Sequence, residues 1–261
     1  MAATLAVAAA AGAVGWAGGS TPNAASERWL PGPTTKPWQL QLQGRVDTSV
    51  PADVYEVDGF DVPGSVVQTL HDRDRKVLCY LSVGSWEDWR PDAGAFPRSV
   101  LGARYAGYPN ERWLDIRRID KLAPILEKRF AMCARKGFDA VEADNVNGFD
   151  ARTGFPLTRA DQLRFNHWLA RRVHAHGMSI ALKNDGSQAR QLVGDFDMAV
   201  VESCFRYDEC SDYRVFVEAG KAVFAVEYEL EPRQFCPAAR KLRFSAIRKH
   251  PDLRAKPWRH C

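Results

Sequence analysis

Residues 138–150, "FDAVEADNVNGFD", run from an apolar stretch straight into acids: Phe138 to Val141 lead to Glu142, Asp144 and Asn145, and Gly148 then interrupts the chain. A half-exposed strand alternates along its whole length, and a strand wholly inside a core does not end in two carboxylates. The same pattern recurs in "MSIALKN" (178–184), which ends in Lys183 and Asn184, and in "DMAVVES" (197–203), which ends in Glu202. Two carboxyl groups facing one pit can divide a hydrolysis between them. One attacks or activates water, and the other, protonated, releases the leaving group, provided their surroundings separate the two pKa values. Asp144 and Glu202 are the candidate pair. The plainer alternatives are that Asp144 caps the following segment or pairs with Arg152, and that Glu202 pairs with Arg206. Glu142 lies two residues before Asp144 and so on the same side of its strand. It is expected beneath the pair, bonded to Lys183, which serves as a substrate partner, a buried countercharge, or both.

Such side chains need a scaffold that brings strand ends together. Eight short apolar runs (38–43, 54–58, 76–84, 138–144, 178–184, 197–203, 221–229 and 243–247) alternate with helical patterns. "LAPILEKRFAMCARKG" places apolar residues at 122, 125, 126, 130 and 133 and stops at Gly137. A second helix starts at Thr158, with Asp161 three residues on as a capping partner, and ends at Gly177. Strands separated by helices pair in parallel through right-handed crossovers, and eight of them over 37–261 predict a single-domain (β/α)8 TIM barrel of the α/β class. A doubly wound open sheet is the other arrangement weighed. No G-x-G-x-x-G or G-x-x-x-x-G-K-[ST] follows any run, which removes support from its nucleotide-binding versions.

In a parallel barrel every C-terminal strand end opens on one face, where barrel enzymes carry their chemistry. Besides Asp144 and Glu202, that face collects Asp58, Trp86, Glu87, Asn145, Lys183, Asn184, Tyr207, Glu227 and Tyr228 as candidate substrate-binding residues. A pit of carboxylates, amides and aromatic rings suits a carbohydrate, whose hydroxyls bond to the polar groups and whose glycosidic bond two carboxyl groups can cleave. A Ser-His-Asp hydrolase lacks its G-x-S-x-G elbow, and the strand ends lack the clustered His of a metal-dependent hydrolase or deacetylase. Neither metal nor cofactor is expected.

With 46% hydrophobic and 26% charged residues the chain is globular rather than disordered, and a net charge of +4 with dispersed Lys and Arg argues against nucleic acid. Residues 1–20 are apolar, Ala-rich and uncharged, as in an export signal, and too Ala-rich for a stable membrane span; 21–36, with three prolines, reads as a linker. The six cysteines (79, 133, 204, 210, 236, 261) favour disulfides in an exported protein, with fifteen pairings open. Cys204 and Cys210 are close enough to staple one loop, and Cys236 with Cys261 would pin the tail and leave Cys79 for Cys133. A secreted monomer is expected.

The blocks "WQLQLQG", "VLCYLSVGSWEDWR", "NERWLDIR", "GFDAVEADNVNGF", "LKN", "VVESCFRYDEC" and "FAVEY", in that order over roughly 37–247, resemble glycoside hydrolase family 114, the endo-α-1,4-polygalactosaminidase group. The resemblance implies a barrel enzyme that cleaves α-1,4 linkages in galactosamine-containing polysaccharide. It implies an Asp after the fourth strand and a Glu after the sixth as the catalytic pair: Asp144 as nucleophile, Glu202 as acid/base, and retention of configuration. A cationic polymer would also be drawn to an acid-rich mouth. A glycosidase for another α-linked glycan, and a non-catalytic carbohydrate-binding barrel of the cell envelope, are the alternatives.

Overall fold

The structure, a computed structural model, describes Met1, residues 28–34 and residues 36–261. The segment read as an export signal and the first part of the linker lie outside the described residues. Residues 28–34 dock on the barrel: the Pro31 carbonyl accepts from the Ala222 amide and the Trp29 carbonyl from the Ser179 hydroxyl.

In chain order the strands are β1 (Trp38–Gln41), β2 (Val54–Asp58), β3 (Lys76–Ser82), β4 (Ser85–Glu87), β5 (Leu101–Tyr105) and β6 (Tyr108–Leu114). There follow β7 (Ala140–Asp144), β8 (Ser179–Lys183), β9 (Met198–Glu202), β10 (Ala222–Glu227), β11 (Ser245–Lys249) and β12 (Trp258–His260). The helices are α1 (Gly64–His71), α2 (Ile119–Lys136), α3 (Arg159–Ala175), α4 (Ala189–Leu192), α5 (Arg214–Glu218) and α6 (Pro232–Leu242). One sheet runs β1-β2-β3-β7-β8-β9-β10-β11-β12, parallel from β1 to β11, so the eight predicted runs are the eight staves of a TIM barrel. The antiparallel β12 lies at the seam. There the Trp258 indole donates to the Trp38 carbonyl (2.8 Å) and the Lys249 ammonium to Gln39 Oε1 (2.9 Å), joining the last staves to the first.

Period-2 alternation divides each stave between two cores. Ala140, Ala181, Met198, Val200 and Phe224 fill the barrel interior, while Val141, Ala143, Ile180, Leu182 and Val201 meet the helices. Along the inward side the character changes from apolar to polar toward the mouth: Ala140, then Glu142, then Asp144. The strands that looked uniformly apolar therefore have one continuous apolar face and one that turns polar at the top.

Local chemistry fixes the helices as expected. Gly137 caps α2 in the left-handed region (φ 87°), and Thr158 with Asp161 forms a capping box on α3. Disulfides join Cys79–Cys133, Cys204–Cys210 and Cys236–Cys261, so β3 is stapled to α2 and Cys261 to α6. Two features depart from a plain strand–helix alternation. The β1–β2 connection has no helix, and the β3–α2 connection contains a small antiparallel sheet in the order β4-β6-β5, which the sequence reading did not anticipate. That sheet forms one wall over the mouth.

Candidate active site

Asp144, Lys183 and Glu202 are the last residues of β7, β8 and β9, three neighbouring staves. Each is followed by a residue in the left-handed region: Asn145 (φ 64°), Asn184 (φ 52°) and Ser203 (φ 55°). Asn tolerates that conformation better than most residues, and the reversal turns the chain away just above each functional side chain. A close approach supports the first turn. A Cβ on Gly84 would fall 1.7 Å from the Asn145 carbonyl oxygen, so only glycine allows the β3–β4 turn to sit against it.

The Lys183 ammonium is the hub. It stands 3.2 Å from Glu142 Oε1, 3.2 Å from Asp144 Oδ1 and 3.2 Å from Glu202 Oε2. Asp144 also accepts from the Tyr80 hydroxyl (3.0 Å) and from the Asn145 amide (2.8 Å). Glu202 accepts from the Tyr228 hydroxyl, and its own amide donates to Asn184 Oδ1 (3.0 Å). Lys183 and Glu142 are buried, whereas Asp144 and Glu202 reach the cleft, with side chains 18% and 31% exposed. Glu142 thus sits under the pair and against Lys183, where the alternation of β7 put it.

Electrostatics separates the acids. Burial alone would raise Glu202, but the Lys183 ammonium and the Tyr228 hydroxyl outweigh it and hold the carboxyl below the ordinary glutamate range. Glu142 goes the other way: burial pushes it well above that range despite Lys183, with the Glu56 and Asp144 charges adding to the shift. Glu56, inward-facing on β2, is pushed up to about 8, again chiefly by burial. Burial opposes charge on Lys183 too, but Asp144, Glu142, Glu202 and Glu56 together raise it, so it stays an ammonium.

Above these groups lies a cleft of about 620 Å³. One wall is the β4–β6–β5 sheet with Trp89, Tyr105, Tyr108 and Glu111; the opposite wall is Leu42, Gln43 and Pro251–Arg254. Of the residues singled out from sequence, Asp58, Glu87, Asn145, Lys183, Asn184, Asp144 and Glu202 line the cleft; Tyr228 does not line it and instead donates its hydroxyl to Glu202. Asp58 and Glu87 are not free: Arg90 donates to both oxygens of each, at 2.7–3.0 Å for Asp58 and 2.8 Å for Glu87, in a buried triad. Trp86, Tyr207 and Glu227 are not among the lining residues. The Trp86 indole donates to the Ala93 carbonyl, Tyr207 is exposed beneath Arg206, and the buried Glu227 accepts from the Phe205 amide. Trp89, three residues after Trp86, and Tyr108 are the exposed rings in the cleft.

Sequence reasoning missed Tyr80, Glu56, Tyr105, Tyr108 and Glu111. The first two were legible by alternation, since Tyr80 lies two residues before Ser82 on β3 and Glu56 two before Asp58. The others sit on the hairpin β5–β6, whose signal was the tight "YAGY" turn with Gly107 at φ 85°.

A family model described as glycoside-hydrolase family GH114 matches residues 19–261. The solved structure of Aspergillus fumigatus Ega3 in complex with galactosamine is 35% identical, covers 92% of this chain and 100% of that one, and superposes with a TM-score of 0.84. The glycoside hydrolase domain of PelA from Pseudomonas aeruginosa is 16% identical, covers 85% of this chain and 97% of that one, and shares the fold with a TM-score of 0.71. A search of curated proteins gave no match. Barrel, mouth and matched sequence agree, and the chain belongs to glycoside-hydrolase family GH114.

Proposed function

We propose that this glycoside hydrolase is secreted and cuts α-1,4 linkages within galactosamine-containing polysaccharide, with retention of configuration. The observation that carries the reading is the shared ammonium. With Asp144 Oδ1 and Glu202 Oε2 each 3.2 Å from Lys183 Nζ, those oxygens lie no further apart than twice that distance. That bound falls short of the roughly 6.5–9.5 Å of inverting pairs and admits the roughly 5–5.5 Å of retaining ones. The galactosamine assignment draws on the 35%-identical relative solved with that sugar, and on a cleft rich in carboxylates. Three disulfides fit an oxidising, extracellular setting, and no helix among the described residues is long and apolar enough to cross a membrane.

In this mechanism the Asp144 carboxylate attacks the anomeric carbon while the departing glycosidic oxygen takes a proton from Glu202, leaving a glycosyl ester on Asp144. Water then gives a proton to Glu202 and attacks the same carbon, which restores both groups and releases the sugar end. Lys183 stays charged beside both acids and stabilises whichever is ionised. A seated sugar strips water from Glu202, and that desolvation raises its pKa for the acid step. Once the leaving group departs and water takes its place, Glu202 returns to the low pKa of a base that Lys183 and Tyr228 give it.

The test is incubation with de-N-acetylated galactosamine polymer beside chitosan and α-glucans, with oligosaccharides followed by mass spectrometry. Release from the first and not the others is expected; release only from another polymer overturns the substrate assignment. Asp144→Asn and Glu202→Gln should each cut kcat by about a thousandfold or more with the melting temperature little changed. Near wild-type turnover in either variant refutes the role given to that residue.

A further inference from the structure

Among the described residues seven carboxylates line the cleft, and five have a cationic partner. Asp58 and Glu87 share Arg90, Asp144 and Glu202 share Lys183, and Asp252 meets His250 (3.2 Å) and Arg254 (3.9 Å). Asp61 stands exposed on the rim. Glu111 differs from all of these. It is half-buried on β6, directly opposite Glu87 of β4 in the ladder, and has no salt-bridge partner among the described residues. Its Oε2 accepts from the Ser85 hydroxyl (2.8 Å), which leaves Oε1 for whatever occupies the cleft.

Ser85 ties this carboxylate to the candidate catalytic centre. Its hydroxyl is 2.7 Å from that of Ser82, and the Asn145 side chain donates to both, at 3.2 and 2.9 Å. The Asn145 amide in turn donates to Asp144. Glu111 is therefore held in fixed relation to Asp144 on the wall across which a bound sugar chain would lie, in a setting where every other half-buried or buried cleft acid is balanced by a cation.

We propose that Glu111 is a specificity-determining residue whose Oε1 receives the ammonium of a de-N-acetylated sugar unit, so that the cleft selects free amino sugars over N-acetylated ones. This rests on the reading of the substrate as a galactosamine polymer. An N-acetyl group offers a neutral amide and cannot balance the charge. Burial pushes Glu111 up to about 7 in the free protein; Glu87 and Asp144 add to the shift, while Ser85 and Arg90 oppose it. The hydroxyls of Tyr105 and Tyr108, which line the same cleft, remain neutral throughout this range because burial raises both. Only the ionised carboxylate attracts an ammonium, so its contribution to binding is present above that pKa and is lost as the pH falls through it.

The experiment compares wild type, Glu111→Gln and Glu111→Asp on fully de-N-acetylated and on partly N-acetylated galactosamine oligomers, measuring KM and kcat separately from about pH 5 to pH 8. Gln keeps the shape and still accepts from Ser85. It should raise KM for the de-N-acetylated oligomer about tenfold, the order expected of one lost charge-assisted hydrogen bond. The selectivity ratio should fall accordingly, and the rise in KM that wild type shows below about pH 7 should vanish. Asp should recover part of the selectivity, which a merely structural role would not give. Equal effects on both oligomers, or an unchanged pH limb in Gln, overturn the assignment while leaving the hydrolase reading intact. Failure of the wild type to cleave either oligomer removes both.

Discussion

Lys183 shows how one side chain can hold opposed roles together. A single ammonium amid Glu142, Asp144 and Glu202, with Glu56 nearby, cannot balance four negative charges in a buried place, so some of the acids must stay protonated. The inner pair, Glu56 and Glu142, is the one that burial drives upward, and the outer pair keeps access to the cleft. Glu56 makes this measurable. Native Glu56 keeps its proton up to about pH 8, whereas the unfolded chain releases it near its ordinary value of 4.5. Stability from the neutral form is fully present below that lower value and is lost as the pH rises toward the higher one. Relative to wild type, Glu56→Gln should therefore gain stability between about pH 5 and 8, by up to about 1.4 kcal/mol per pH unit. Urea titrations at several pH values would check it; a pH-independent difference would mean that Glu56 is ionised in the native state.

At the scale of elements, the site depends on where three strands stop and how sharply they turn. The left-handed residues after β7 and β9, and Asn184 after β8, keep the chain clear of the mouth, and Gly84 lets the β3–β4 turn press against the first of them. Gly84→Ala would drive a methyl into the Asn145 carbonyl, and because the backbone is the obstacle, no rotamer relieves it. Asn145 and with it Asp144 must shift. A stability loss of about 2–4 kcal/mol is expected, together with a fall in kcat larger than any change in KM. Calorimetry and steady-state kinetics would check both, and a variant matching wild type would show that the turn has slack. The inserted β4–β6–β5 sheet matters for a different reason: it brings Trp89, Tyr108 and Glu111 over a mouth that the staves alone would leave open.

For the molecule as a whole, the weak point is the seam. No ladder joins β1 to β11 directly; Trp258 of β12 and the buried Lys249 at the end of β11 bridge to β1, and the Lys249 ammonium also donates to the Arg254 and Ala255 carbonyls of the tail. The same tail supplies the cleft wall at Pro251–Arg254, and the Cys236–Cys261 disulfide fastens it to α6. Replacing both cysteines by serine opens a loop with a sequence separation of 25, worth about 3 kcal/mol on chain-entropy grounds. The double variant should melt lower and show a raised KM from a loosened wall. Unchanged KM with a lowered melting temperature would separate barrel closure from substrate binding.

Much of this was legible in the residues themselves. Runs that pass from apolar to polar in one direction mark parallel strands with a common mouth, because a strand buried on both faces can carry charge only where it reaches water. Alternation then placed Glu142 below Asp144, and the cap chemistry of Thr158 and Gly137 bounded two helices. What the sequence left open depended on distance in space. Nothing local indicated that Asp58, distant along the chain, would share Arg90 with the nearby Glu87, or that Trp89 rather than Trp86 would face the cleft. Nor did it reveal that a hairpin outside the barrel repeat would bring Glu111 to the wall. Strand and helix are set by neighbours along the chain, whereas the partner of a buried charge is set by whichever element folds over it.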